Sequence, residues 1–117
     1  MTGYDVFNRA IMLLGYTYPD GGITANNALL NRACDIIGQI CSDLGVQRIE
    51  TLDGELNIGE KTADALLYGT AMLLSLTEGD AVKNQLFTQL YNAKRSAALA
   101  SLQSVGDVLP TDDGGVD

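Results

Sequence analysis

The sequence predicts an all-α fold: a single-domain bundle of about four helices, with one long loop between the second and third and an extended C-terminal tail. Three observations carry this. Apolar residues recur at helical spacing in four separate segments. Gly and Gly-Asp steps punctuate those segments where helices end. The core formers are Leu, Ile and Ala, since the 117 residues include two Phe, five Tyr and no Trp. A chain of this length buries roughly two-thirds of the surface it exposes when unfolded, and 46% apolar residues suffice to build one core.

The first helix is expected over about Tyr4 to Leu14. Thr2 is its N-cap and Asp5, three residues on, places a carboxylate at the positive helix end. Val6, Ala10, Leu13 and Leu14 form the expected inner face. Gly15 stops the helix, and Tyr16 to Gly22, with Pro19, Gly21 and Gly22, reads as a turn. Thr24 then caps a second helix reaching about Leu44. Leu29, Ala33, Ile36, Ile37, Ile40 and Leu44 mark its apolar stripe, and Asn31, Arg32, Asp35, Gln39 and Asp43 its polar side. Gly45 ends it.

Residues 46–60 carry too many turn formers for a helix, and Ile49 and Leu52 anchor them as a partly packed connection. Arg48 to Leu52 also reads as a short strand. Loops of this length in compact bundles usually serve a function or move. The third helix, from Lys61 or Thr62 to Glu78, is the most apolar segment, with Asp64 the one charge between Thr62 and Thr77. Leu66, Leu67, Tyr68, Met72, Leu73, Leu74 and Leu76 cover nearly every direction around it, as in a helix buried on most sides or covered by another subunit. Gly69 allows a close helix approach. Asp80 caps the fourth helix, about Ala81 to Gln103. Its expected inner face is Val82, Leu86, Leu90, Ala93 and Ala97, with Phe87 and Tyr91 on the flank. Lys94 and Arg95 fall late in this helix, where the macrodipole favours cations. This divides the chain into a bundle, 1–103, and a tail, 104–117, that lacks periodicity and carries acids with Gly and Pro.

Charge and composition narrow the function classes. Fifteen acidic and seven basic residues give a formal net charge of −8. Such a surface repels phosphate, and grip on nucleic acid comes from Lys and Arg; a negative wall does suit DNA sliding past without being held. No enzyme is expected. The chain has no His, which removes the usual general base and the commonest metal ligand. Cys34 and Cys41, seven residues apart on one helix, are separated by about 10 Å of rise, too far for a disulfide. They read as free, buried thiols in a reducing compartment.

Asp53, Glu55, Asn57 and Glu60 alternate like calcium ligands, but Ile58 stands where an EF-hand loop needs glycine, so no metal is expected. Gly21–Gly22 lacks the strand and lysine of a phosphate loop, and no cofactor is expected. The start, MTGYDVFNRA, shows no signal peptide. No apolar run approaches the ~18–20 residues of a membrane span.

Three stretches resemble the head–tail adaptor (connector) proteins of long-tailed bacteriophages and prophages. One is Asp5-Val-Phe-Asn-Arg-Ala-Ile-Met-Leu-Leu-Gly15 with the glycine-rich turn after it. The second is the helix carrying Ile36, Ile37, Ile40 and Leu44, which leads into a variable loop. The most specific runs Leu66-Leu67-Tyr68-Gly69-Thr70-Ala71-Met72-Leu73-Leu74, then Glu78-Gly79-Asp80, Phe87 and Tyr91-Asn92-Ala93-Lys94-Arg95.

The resemblance covers about residues 3–100 and implies a structural virion protein, made in the host cytoplasm. It would form a ring, commonly of twelve subunits, between the portal protein and the stopper or tail-completion proteins, with DNA passing through the lumen unbound. In that setting the loop touches a neighbouring subunit. Arg48, Glu50, Leu52, Glu55 and Ile58 are the interface candidates, with Arg48 and Glu50 able to pair across a boundary. The resemblance further implies a C-terminal segment that reaches the portal, through Val105, Val108, Leu109 and Pro110. The acidic composition alone leaves a second reading open, a small helical binding module or regulator that masks a basic partner surface.

Overall fold

The computed structural model describes residues 1–15 and 27–108, with the side chains of 27–31 and 102–108 outside that description. The described residues form an all-α bundle of four helices: α1 (Gly3–Leu14), α2 (Asn27–Leu44), α3 (Glu60–Thr77) and α4 (Ala81–Val108). Thr24, Leu29, Asn31 and the turn at 16–22 lie outside the described residues or side chains. No described helix is long and apolar enough to cross a membrane.

Helix α3 is the central element, with α1, α2 and α4 all packed against it. Its buried residues, among them Ala65, Leu66, Ala71 and Leu74, meet Val6, Phe7, Ala10, Ile11 and Leu14 of α1 and Ala33, Ile37, Ile40 and Leu44 of α2 in one core. In α1 the inner face takes in Phe7 and Ile11, while Leu13 turns outward, a correction to the expected stripe.

Gly69 is where three helices converge. A Cβ there would lie 2.7 Å from Ile40 Cγ2 and 2.8 Å from Tyr91 Cε1, distances no side chain tolerates without moving a neighbour. Glycine therefore sets how closely α2 and α4 approach α3.

Chain reversals follow the punctuation read from the sequence. Gly15, Gly45 and Gly79 adopt φ of +78°, +74° and +72°, the left-handed conformation that ends helices. After Gly79, the Asp80 amide donates to Ser75 O at 2.9 Å, and Asp80 Oδ1 accepts from the Lys83 amide at 3.1 Å. Asp80 thus closes α3 and caps α4 within one residue.

Helix α4 departs from expectation in two ways. It continues to Val108, so 104–108 have helical backbone and the extended segment expected from Ser104 does not begin there. It is also rotated. Phe87, Tyr91 and Ala98 are its buried residues, whereas Val82, Leu86, Ala93 and Ala97 are exposed and Leu90 is half-buried. The side with Phe87 and Tyr91 offers two large aromatic rings, the other a valine, a leucine and two alanines, and the aromatic side takes the inner position.

This rotation also carries the basic pair to acids on two different helices. Lys94 Nζ reaches Asp64 Oδ2 of α3 at 2.7 Å, and Arg95 Nε reaches Asp43 Oδ2 of α2 at 2.8 Å. Both cations sit mid-helix and cross-link the bundle; they do not sit at the helix end as the sequence suggested.

Candidate assembly surfaces

The loop between α2 and α3 is tied to the start of α1. A new helix leaves its first amide N–H groups without intrahelical acceptors. Here Gly3 N donates to Gly54 O at 3.3 Å and Tyr4 N to Leu52 O at 3.0 Å. The Asp5 amide donates to Thr2 Oγ1 at 3.2 Å, and the Thr2 amide to Asp5 Oδ2 at 2.9 Å, completing a capping box. That backbone bond from Thr2 holds the Asp5 carboxyl below its ordinary pKa.

A single antiparallel bridge pairs Thr2 with Glu55, Leu56 N donates to Met1 O at 2.8 Å, and the Glu55 carboxylate pairs with the amino terminus. Gly3 is required for this seat, because a Cβ there would stand 2.6 Å from Ile49 Cδ1 and 3.0 Å from the Leu52 backbone.

The loop residues expected at a subunit boundary therefore divide. Leu52 is buried in the chain's own core along with Ile49 and Leu56, so its side chain is not available to a neighbour. Ile58 is half-buried against that core. Arg48, Glu50 and Glu55 are exposed. Arg48 lays its guanidinium over Gly38 of α2, with Nη2 2.5 Å from where a Cβ would be. The expected strand at Arg48–Leu52 is absent: the backbone bends at Glu50 and turns at Leu52 and Asp53, which aims the Leu52 and Gly54 carbonyls at α1. Of the residues expected at the portal, Val105 and Val108 belong to α4 while their side chains lie outside the description. Leu109 and Pro110 lie outside the described residues.

Large exposed aliphatic side chains mark other surfaces. Met12 (75% exposed) and Leu13 (38%) project from the end of α1; Leu76 (63%), Val82 (80%) and Leu86 (51%) lie on either side of the α3–α4 hairpin. The first two line an open groove of about 430 Å³ whose remaining walls are Arg9, Asp64, Leu67 and Tyr68. An adjoining hollow shares Arg9, Asp64 and Leu67 and adds Glu60, Lys61 and Ala63.

On α4, Val82, Leu86, Ala93 and Ala97 repeat at intervals of four, seven and four residues, and so share one side of the helix. Neighbouring exposed positions Gln85, Gln89, Asn92 and Ser96 are polar and uncharged. Sequence reasoning identified this stripe and assigned it to the core. Its signal for solvent was the competing stripe of Phe87, Tyr91 and Ala98 about a third of a turn away.

The electrostatics of the described residues are structural in character. Burial raises the Tyr91 phenol well above its ordinary pKa, and its hydrogen bond to Asp43 adds to the effect. The same bond is the main cause holding the Asp43 carboxyl below its usual range. The Lys94 ammonium is stabilised chiefly by its hydrogen bond to Asp64 and lies 5.1 Å from the centroid of the Tyr68 ring. Cys41 is buried as expected, whereas Cys34 is half-buried, a correction to the sequence reading; desolvation is the main cause raising both thiols above their ordinary pKa. Among the described residues no three His, Cys, Asp or Glu side chains gather as a metal site.

Comparisons with known proteins give no match to a family model, a curated protein or a solved structure.

Proposed function

We propose that the chain is a structural subunit that works by assembling with copies of itself, and that its assembly is the head–tail adaptor ring of a long-tailed phage or prophage. The observation that carries the self-assembly reading is two groups of exposed aliphatic side chains, Met12 and Leu13 on α1 and Val82 and Leu86 one turn apart on α4. Well-packed monomers scatter such side chains singly; grouped ones mark contact surfaces. Two different patches on one chain suit a ring, in which each subunit offers one surface to each neighbour.

The adaptor reading rests further on the sequence resemblance over residues 3–100. The acidic surface supports it, because a channel of negative or neutral subunits passes DNA without holding it. Architecture of this kind asks no catalytic chemistry of the chain. The portal lies on one side of the ring and the stopper or tail-completion protein on the other, and the site of action is the virion.

The exposed acids Glu50, Asp53, Glu55 and Glu60 favour a second reading, an acidic module that masks a basic partner. The loop is seated by backbone hydrogen bonds, so these carboxylates are presented in fixed positions. Imaging the purified chain with the portal protein of the same genome separates the two. Rings stacked on one end of the portal support the adaptor; bare portals, with the chain captured by a basic protein, support the module.

A further inference from the structure

We propose that neighbouring copies join head to tail, the start of α4 in one copy, with Val82 and Leu86, docking in the Met12–Leu13–Leu67 groove of the next. This rests on the reading of the chain as a ring subunit and names the two surfaces that meet. Three observations support it.

The two surfaces have opposite relief. The groove is a concave trough between α1 and α3, and the α4 stripe is a helix ridge whose two largest side chains are exposed by half or more. Among the described residues, the start of α4 does not reach the groove of its own chain. Asp64, in the groove wall, and Thr77, at the end of α3, are about 20 Å apart along one helix, and Val82 lies beyond the hairpin that follows Thr77.

Charge points to a second copy as the groove's occupant. The chain has seven basic residues against fifteen acidic, yet Arg9 and Lys61 both stand at the groove and its adjoining hollow. Asp64 there is already paired with Lys94, leaving Glu60 as the other acid. At the hairpin the balance is reversed: Glu78 is exposed beside Gly79, and Asp80 is paired with Lys83. A hairpin carrying Glu78 meets a rim carrying Arg9 and Lys61 with opposite signs, while two identical ends would meet with like signs. The uncharged flank of Gln85, Gln89 and Asn92 lets a copy of net charge −8 approach another along α4.

The two surfaces differ, so the contact is heterologous and its repetition closes a ring or grows a filament. The test is cross-linking between single-cysteine-added variants, Leu13→Cys and Val82→Cys, both at exposed positions where the fold should be unaffected. Circular dichroism verifies folding, and the wild-type chain controls for Cys34 and Cys41. Under mild oxidation, a mixture of the two variants should give a mixed dimer that neither variant gives alone. Glu78→Lys should weaken association about tenfold, and combining it with Arg9→Glu should restore much of it.

Val82→Cys dimers formed from that variant alone would overturn the proposal in favour of a symmetric α4 contact. Absence of mixed dimers at concentrations where the chain is oligomeric, or on the portal, would overturn it too, and so would a chain that stays monomeric under both conditions. Mixed dimers without portal binding would uphold this contact and remove the adaptor reading. Portal-bound rings without mixed dimers would do the reverse.

Discussion

Tyr91 of α4 donates its phenolic hydrogen to the Asp43 carboxylate of α2 at 2.5 Å, and the same oxygen accepts from Arg95 Nε at 2.8 Å. One carboxylate at the end of α2 thus receives two donors one turn apart on α4. Helices α2 and α4 otherwise meet little, so this cluster is the main polar tie between them. Tyr91→Phe should cost about 1–2 kcal/mol in urea unfolding, with the partial exposure of Asp43 holding the loss to that range.

The same cluster gives a pH dependence with a definite sign. Asp43 has a depressed folded-state pKa, so its contribution is present above the unfolded carboxylate value of about 3.9 and fades as pH falls through the lower folded value. The stability gap between wild type and Tyr91→Phe should hold from pH 7 to about 5 and narrow on acidification below about 4. A gap unchanged at low pH would show that the phenol stabilises through packing alone.

Gly69→Ala sets two effects against each other. Alanine favours an isolated helix by roughly 0.5–1 kcal/mol, but here its methyl would meet Ile40 and Tyr91 at 2.7 and 2.8 Å. Overpacking of that kind costs about 1–3 kcal/mol, so a net destabilisation is expected. Thermal unfolding of the variant decides which effect wins; a raised melting temperature would mean that α4 shifts without penalty.

At the other end of the bundle, Gly3→Ala should lift the loop from α1. The measurement is amide hydrogen exchange at Tyr4 and Leu56, whose N–H groups bond Leu52 O and Met1 O. Both should exchange faster than in the wild type while amides within α3 stay protected. Thr2→Ala, which removes one half of the capping box, should cost about 1 kcal/mol and leave the loop seated.

The elements whose signals were local were legible in the sequence. Thr2 with Asp5, Gly45, and Gly79 with Asp80 each fix a helix boundary through bonds spanning a few residues, and the structure places boundaries there. The buried stripe of α2 was legible as well, because Ile36, Ile37, Ile40 and Leu44 compete with no second apolar side. In α4 two stripes compete. The choice depends on Asp43 and Asp64, which sit 52 and 30 residues from their partners Arg95 and Lys94, and on Gly69 making room for Tyr91. The loop failed for a similar reason: its carbonyls serve amides at Gly3 and Tyr4, a relation no local pattern encodes. The groove was invisible to the sequence because it is assembled from α1 and α3, and the periodicity assigned Leu13 to the inner face of α1.

Val82→Asp with Leu86→Asp should leave the monomer fold intact, since both side chains are exposed. Stability within about 0.5 kcal/mol of the wild type is expected from such surface positions. Under the proposed head-to-tail contact self-association should be lost, because a desolvated carboxylate would then face an apolar groove. Sedimentation velocity across a range of concentrations reads both states.

Whether this chain builds a ring on a portal is read from the native mass of the portal complex after mixing with excess chain. A ring subunit gives a mass increase equal to a whole ring of chains per portal, added cooperatively and abolished by Val82→Asp with Leu86→Asp. A portal whose mass does not change, beside a chain that remains monomeric, would contradict the ring reading.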